Sequence, residues 1–247
     1  MLGLGQSLNR EGGMPDDVLY NYIHLDGADD YIDLGNIGAV RSFQIWFKPN
    51  TTINLGSTIQ RFVGFNTDGS SGYYGIHFSQ ATSLFANETL TVSPGANSRT
   101  SDTQSYNTNN WYHCVISWDN TSSVFRIYIN GEDRTINNGN NGSTDTLPAF
   151  TSLLIGKDNS TASNNFNGRV DKIATWSTSL TLAEATSLYN DGMGVYDPTE
   201  NSGNYVSSAN ITGYWHCDAG PTIDEVGSNN GTLENGAVAI SGDSPDI

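Results

Sequence analysis

The sequence predicts an all-β protein whose strands are broken by tight turns and joined by a single short helix. Three observations carry this. Glycine takes 27 of the 247 positions, and six Asp-Gly or Asn-Gly pairs, among them Asp26-Gly27, Asn130-Gly131 and Asn167-Gly168, supply the positive φ that hairpin turns require. Short apolar runs that alternate with polar residues lie between these turns. Helical punctuation occurs only at 181–190.

Residues 1–17 are glycine-rich and polar and read as a leader or tether, with no cationic start and no continuous apolar stretch of the kind a signal peptide carries. Val18 to Leu25 forms the first strand, and Asp26-Gly27 turns it into Tyr31 to Leu34. Ser42 to Lys48 is the next strand, ended by Pro49, which cannot donate to a ladder. Arg61 to Phe65 and Gly72 to Phe78 follow, separated by the Asp68-Gly69 turn. Trp111 to Trp118 and Val124 to Gly131 read as a hairpin. Ser93 to Asn110 and Thr135 to Leu147 are rich in Ser, Thr, Asn and Gly and are expected to be long surface loops.

From Leu153 the chain reads strand, polar loop, strand, helix. Gly168 to Trp176 alternates apolar and polar residues, with Val170 and Ile173 facing the core. Thr181 is the N-cap, Glu184 three residues on completes a capping box, and Leu180 supplies the hydrophobic staple. Gly192 is expected to be the left-handed stop. About 30 residues follow Tyr214, too few for a core of their own. Gly213 to Ala237 is therefore expected to pack beside Tyr20 to Leu34 in one domain spanning 18–240, with 241–247 as a tail.

The chain carries 26 acidic against 10 basic residues, a net charge of −16. Such a surface repels nucleic acid and anionic membranes and favours divalent cations or simple solvation. No apolar run reaches the length needed for membrane insertion. Cys114 and Cys217 each end an aromatic-His-Cys run, Trp111-Tyr-His-Cys114 and Tyr214-Trp-His-Cys217. In an extended strand His113 and Cys114 point to opposite faces, which argues against a shared zinc ion and leaves two buried thiols. Seven Asn-x-Ser/Thr triplets are what this composition produces by itself.

Several of these segments together resemble one family. "YIHLDGADDYIDLG" is similar to the "L-x-F-D-G-x-D-D-Y-V" opening of laminin-G-like modules. Ser42 to Pro49 resembles their "T-I-x-x-W-V-K-P" strand, and the Trp111–Gly131 hairpin resembles "W-H-H-V-A-V … V-x-L-Y-V-N-G-E". Gly168 to Gly192 resembles "NG-x-I-D-x-(V/I)" leading to a helix that ends "LY-x-x-G". The resemblance implies a concanavalin A-like jelly-roll β-sandwich of two antiparallel sheets with one short helix over 181–190. The stretch from Gly213 to Ala237 resembles a motif that precedes the first strand in many members, which implies a circular permutation.

Three function classes follow. Glucanases of that superfamily place alternating carboxylates on one strand as nucleophile and acid. No such run exists here, nor a nucleophile elbow, so the chain is expected not to be an enzyme. Binding is the second class, with glycan as ligand, since sugars are recognised by aromatic faces and planar polar groups. If Ile76 faces the core, Tyr73 and His77 form an outward pair and are the ligand-binding candidates. The third feature is calcium, which takes six to eight oxygens. Asp26, Asp29 and Asp30 in the first turn, together with Asp171, are the candidate metal ligands, with a structural role. The leader, the acidic low-lysine composition and the "GYW … NNGTLENGA" tail resemble proteins of marine tailed phages. That resemblance implies a virion surface component, a capsid decoration or tail fibre part, meeting cell-surface glycan or other virion proteins, singly or as a homo-oligomer. The alternative is an extracellular bacterial lectin module.

Overall fold

Alternation decides the architecture. Along most strands one set of side chains enters a shared interior while the other set faces outward. A computed structural model describes residues 21–51, 60–66, 74–79, 89–94, 99–101, 106–108, 110–119, 124–136, 150–157, 165–195, 197–217, 222–242 and 245.

Two eight-stranded sheets face each other. In chain order the strands of sheet A are β1 (Asn21–Asp26), β3 (Ser42–Pro49), β8 (Tyr112–Asp119), β9 (Val124–Ile129), β10 (Glu132–Asp133), β13 (Asn167–Trp176), β14 (Ile211–Trp215) and β16 (Val238–Ser241). Sheet B holds β2 (Tyr31–Asp33), β4 (Gln60–Asn66), β5 (Tyr74–Ser79), β6 (Thr89–Pro94), β7 (Arg99–Ser101), β11 (Thr135–Ile136), β12 (Ser152–Ile155) and β15 (Thr232–Glu234). Every paired ladder among them is antiparallel. The spatial order is β10-β9-β8-β3-β13-β1-β16 in sheet A and β11-β7-β6-β5-β4-β12-β2-β15 in sheet B.

The core between the sheets is aromatic. Phe47 packs against Phe62, Phe78, Tyr106, Tyr112 and Phe166 with ring centroids 4.9–6.1 Å apart. Cys114 and Cys217 both belong to this core as free thiols. Burial pushes the Cys114 thiol far above its ordinary range, which leaves it protonated and inert. His113 projects the other way and stacks on Trp46, 4.8 Å away, with Tyr189 of the helix beyond it. The predicted split of His113 and Cys114 between faces is therefore present.

The helix α1, Leu182–Tyr189, covers one half of the outer face of sheet A. Thr181 accepts from the Glu184 amide, and the Glu184 carboxylate accepts from the Thr181 amide, so the capping box is closed as the sequence predicts. Its other end differs. The left-handed cap falls on Asn190 (φ 47°), and Asp191 (φ 53°) is left-handed too, so the helix stops two residues before Gly192. Asparagine is the non-glycine residue that best tolerates this region. Beneath the helix, Val115, Tyr128, Ala174, Trp176, Leu180, Ala185, Leu188, Tyr205 and Tyr214 form a second apolar cluster.

Strand β13 serves both clusters because its phase changes midway. A bulge lies between Asp171 and Ala174, with Lys172 left-handed at φ 46°. Val170 and Ile173 can thus both enter the main core, while Ala174 and Trp176 face the helix. The extra residue also explains why these two core positions are three apart rather than two.

The segment after Tyr205 is woven into the same sandwich. β14 pairs with β13, β15 with β2 and β16 with β1. Two elements depart from the sequence expectation: Thr89–Pro94 and Arg99–Ser101 are strands of sheet B that lie at or inside the predicted loop. Trp111 is half-buried at the start of β8, whereas Trp46, Trp118, Trp176 and Trp215 are buried.

Candidate functional site

Register brings together residues that are far apart in sequence. β13 lies between β3 and β1, with Arg169 opposite Lys48 on one side and His24 on the other. One position nearer the strand ends, Asp26 faces Asn167, and the Asn50 amide donates to the Asn167 carbonyl at 3.1 Å. Because side chains two apart share a face, His24 and Asp26, Lys48 and Asn50, and Asn167 and Arg169 all line the outer face of sheet A. This is the half of that face beyond the apolar cluster under α1.

The contacts within this group are specific. Asn50 Nδ2 donates to Asn167 Oδ1 at 3.0 Å and lies 3.3 Å from His24 Nδ1. The Arg169 guanidinium sits over the Tyr22 ring, 4.6 Å from its centroid. Tyr22 meets Trp111 edge to face at 6.5 Å. Planar amides, an imidazole, two cations and two aromatic rings thus share one surface, and all but Tyr22 are partly accessible.

The Asp26–Asp30 turn closes this surface at the rim of the sandwich. Asp26, Asp29 and Asp30 bring one carboxylate oxygen each to within 4.8 Å of one another. The turn is firmly built. Asp30 accepts from the Asp26 amide, Asp26 accepts from the Ala28 amide, and the Asn165 and Asn235 side chains donate to the Ala28 and Asp29 carbonyls. Gly27 is left-handed at φ 80°, and a Cβ there would lie 2.7 Å from Asn167 Cβ, so only glycine fits this crossing. Burial raises the Asp30 carboxyl above its ordinary value; the hydrogen bond from Asp26 opposes this, and the Asp26 and Asp29 charges add to the rise. Clustered carboxylates of this kind are hard oxygen donors suited to a divalent cation such as calcium.

Asp171 does not join them. It lies four positions along β13 from Asn167, about 13 Å away. It is 1% exposed and accepts from the Cys217 amide. Its role is internal, at the bulge beside Lys172 and His216.

The other predicted pair also changes. Tyr73 lies outside the described residues. His77 does face away from Ile76 and Phe78, yet it is only 8% exposed, between Arg61 on β4 and Thr91 on β6. An open sheet-face histidine is therefore not what the fold presents. The residues that sequence reasoning missed, His24, Lys48, Asn50, Asn167, Arg169, Tyr22 and Trp111, had one available signal: equal strand parity on segments that the resemblance aligns side by side.

A second concavity, of about 350 Å³, lies beside the C-terminal end of α1 and is lined by Thr186, Ser187, Asn190, Asp191 and Ser202 among others. Among the described residues its wall has no aromatic ring on which a sugar could stack.

Comparison with known proteins gives a consistent picture. A family model described as the concanavalin A-like lectin/glucanases superfamily matches residues 26–186. A Bacteroides ovatus protein provisionally assigned as carbohydrate-binding superposes with a TM-score of 0.62 at 20% identity, over 92% of this chain and 61% of that one. The heptameric SAP-like pentraxin of Limulus polyphemus superposes with a TM-score of 0.54 at 14% identity, over 88% of this chain and 95% of that one. The rat sushi, von Willebrand factor type A, EGF and pentraxin domain-containing protein 1 is 24% identical over 181 residues. The match takes in 69% of this chain but spans only 4% of that protein's length.

Proposed function

The chain belongs to the concanavalin A-like lectin/glucanase superfamily, and from that premise we propose that it is a non-catalytic glycan-binding module whose site is the exposed half of the sheet A outer face. The observation that carries this reading is the joining of His24, Asn50, Asn167 and Arg169 to the Tyr22 and Trp111 rings by strand register. Amide and imidazole groups bond sugar hydroxyls in their plane, and a flat ring beside them covers the apolar face of a pyranose. The carbohydrate-binding assignment of the Bacteroides ovatus structure supports the same class.

Binding is tested by affinity electrophoresis of the full chain through gels containing soluble polysaccharides. Retardation that is lost in Trp111→Ala and in Asn50→Ala, at unchanged far-ultraviolet circular dichroism, is the expected result. Equal mobility in every gel, for wild type and variants alike, would remove the proposal.

Calcium at Asp26, Asp29 and Asp30 belongs to the same reading as a stiffening element for the rim. The setting we propose is the surface of a tailed-phage virion, on the resemblance of the leader and tail, with an extracellular bacterial module as the alternative. Mass spectrometry of purified particles distinguishes the two.

A further inference from the structure

We propose that the glycan taken by this face is anionic, and that Lys48 and Arg169 are the groups that read its carboxylates or sulfates. This rests on the glycan-binding reading above and adds the ligand's charge.

The argument begins from an anomaly. The chain holds 10 basic against 26 acidic residues, yet two of the ten sit directly opposite each other on adjacent strands, Lys48 on β3 and Arg169 on β13. Like charges in directly opposed cross-strand positions destabilise a sheet. His24 extends the same row onto β1, opposite Arg169. A row of this sign across three strands of a strongly acidic protein works against folding, and an anion seated on the row would reverse that penalty.

The geometry suits such a ligand. The Tyr22 ring under the Arg169 guanidinium fixes the plane of the guanidinium. A guanidinium held in plane can pair with a carboxylate or sulfate through two parallel hydrogen bonds. Lys48, one strand away, supplies a point charge about 5 Å along the row. Asn50, His24 and Asn167, hydrogen-bonded together at the rim end of the row, then meet hydroxyls rather than charge. Trp111, against Tyr22, offers a ring face. The arrangement matches a sugar acid or sugar sulfate better than a neutral hexose, which would leave two cations without a counter-charge.

The experiment is isothermal titration of the full chain, in EDTA, with three probes: oligogalacturonate, a heparin-derived sulfated oligosaccharide and a neutral cello-oligosaccharide. At least one anionic probe should bind, the neutral one should not, and the affinity should fall as sodium chloride rises. Comparing the first two probes identifies carboxylate or sulfate as the group read. Lys48→Gln with Arg169→Gln should weaken binding about tenfold or more, while the melting temperature stays level or rises because the opposed charges are gone. Arg126→Gln on β9, outside the row, should leave affinity unchanged. If the double variant does not fold, the single Lys48→Gln is read in the same assay together with the wild-type salt series. Binding of the neutral probe alone leaves the glycan reading standing and overturns this one; binding of none removes both. Anionic binding that the variants do not weaken, or that appears only when calcium replaces EDTA, would overturn the assignment to Lys48 and Arg169.

Discussion

Glu184 shows how one side chain can fix two segments. It caps the helix and also accepts from Ser207 Oγ, so the 197–210 strap is tied to the start of α1. Burial would raise its carboxyl, but the hydrogen bonds from Ser207, Thr181 and Val206 outweigh this and hold it below the ordinary glutamate range. Its contribution is therefore complete above the pKa of an unfolded glutamate, about 4.3, and drains away as the pH falls through the lower folded value. Glu184→Gln should cost about 1–3 kcal/mol at neutral pH, and urea melts should show the gap from wild type closing below about pH 4. His113 works in the opposite sense. Burial, aided by the Lys172 charge, drives its pKa down to about 3, so the unfolded chain takes up a proton that the folded chain refuses. Stability should fall as the pH drops below about 6.5, and His113→Phe should flatten that slope. At the rim, excess calcium at 100 times Kd would add about 2.7 kcal/mol. Thermal melts in EDTA and in calcium should show a gain that Asp26→Ala abolishes; equal shifts in both proteins would place the cation elsewhere. The capping box was legible in the sequence because its partners are three residues apart. The mistaken grouping of Asp171 with the turn arose because nothing local reveals a bulge.

Among the elements, the C-terminal segment has the most to show. Asp224 is the staple of its "GYW … D … NNGT" motif. Its carboxylate accepts from the amides of Tyr214, Val226, Gly227 and Asn229, while Asn230 Oδ1 accepts from the Asp224 amide. Trp215 enters the main core and donates its indole N–H to the Asn229 carbonyl. Truncation at Asn210 removes β14, β15 and β16 and uncovers β1 and β2, and it should lower the melting temperature sharply or abolish folding. Asp224→Ala should reproduce part of that loss, about 2–4 kcal/mol. An unchanged melt in either would show that the segment is not integral. The strands carrying Phe43, Ile76 or Val115 were readable from alternation alone. β6 and β7 were not, because Thr91, Ser101 and their neighbours are polar residues drawn inward by sheet pairing rather than by hydrophobicity. The binding face was hidden for a related reason: His24, Lys48 and Arg169 become neighbours only once the register of three strands is known.

At the level of the whole molecule, the charge of −16 is a global strain that salt relieves, so the denaturation midpoint should rise between low and physiological ionic strength. The carboxylates that do cluster lie on a turn at the rim rather than alternating along a strand over a cleft. Release of reducing ends from a broad polysaccharide panel is therefore expected to be absent; release abolished by a single Asp or Glu substitution would reverse that expectation.

Asn21 stands directly across the ladder from Ser241, so the two outer ends of β1 and β16 lie side by side on one margin of sheet A. A pull applied through the flanking chain would act across these strands rather than along them. The ladder bonds between β1 and β16 would then open one after another instead of resisting together. Tension would peel this seam from sheet A before it reached the aromatic core. Conversely, a host chain could leave one of its own loops at Asn21 and return at Ser241 almost where it left, carrying the module as a side bead with its backbone path undisturbed.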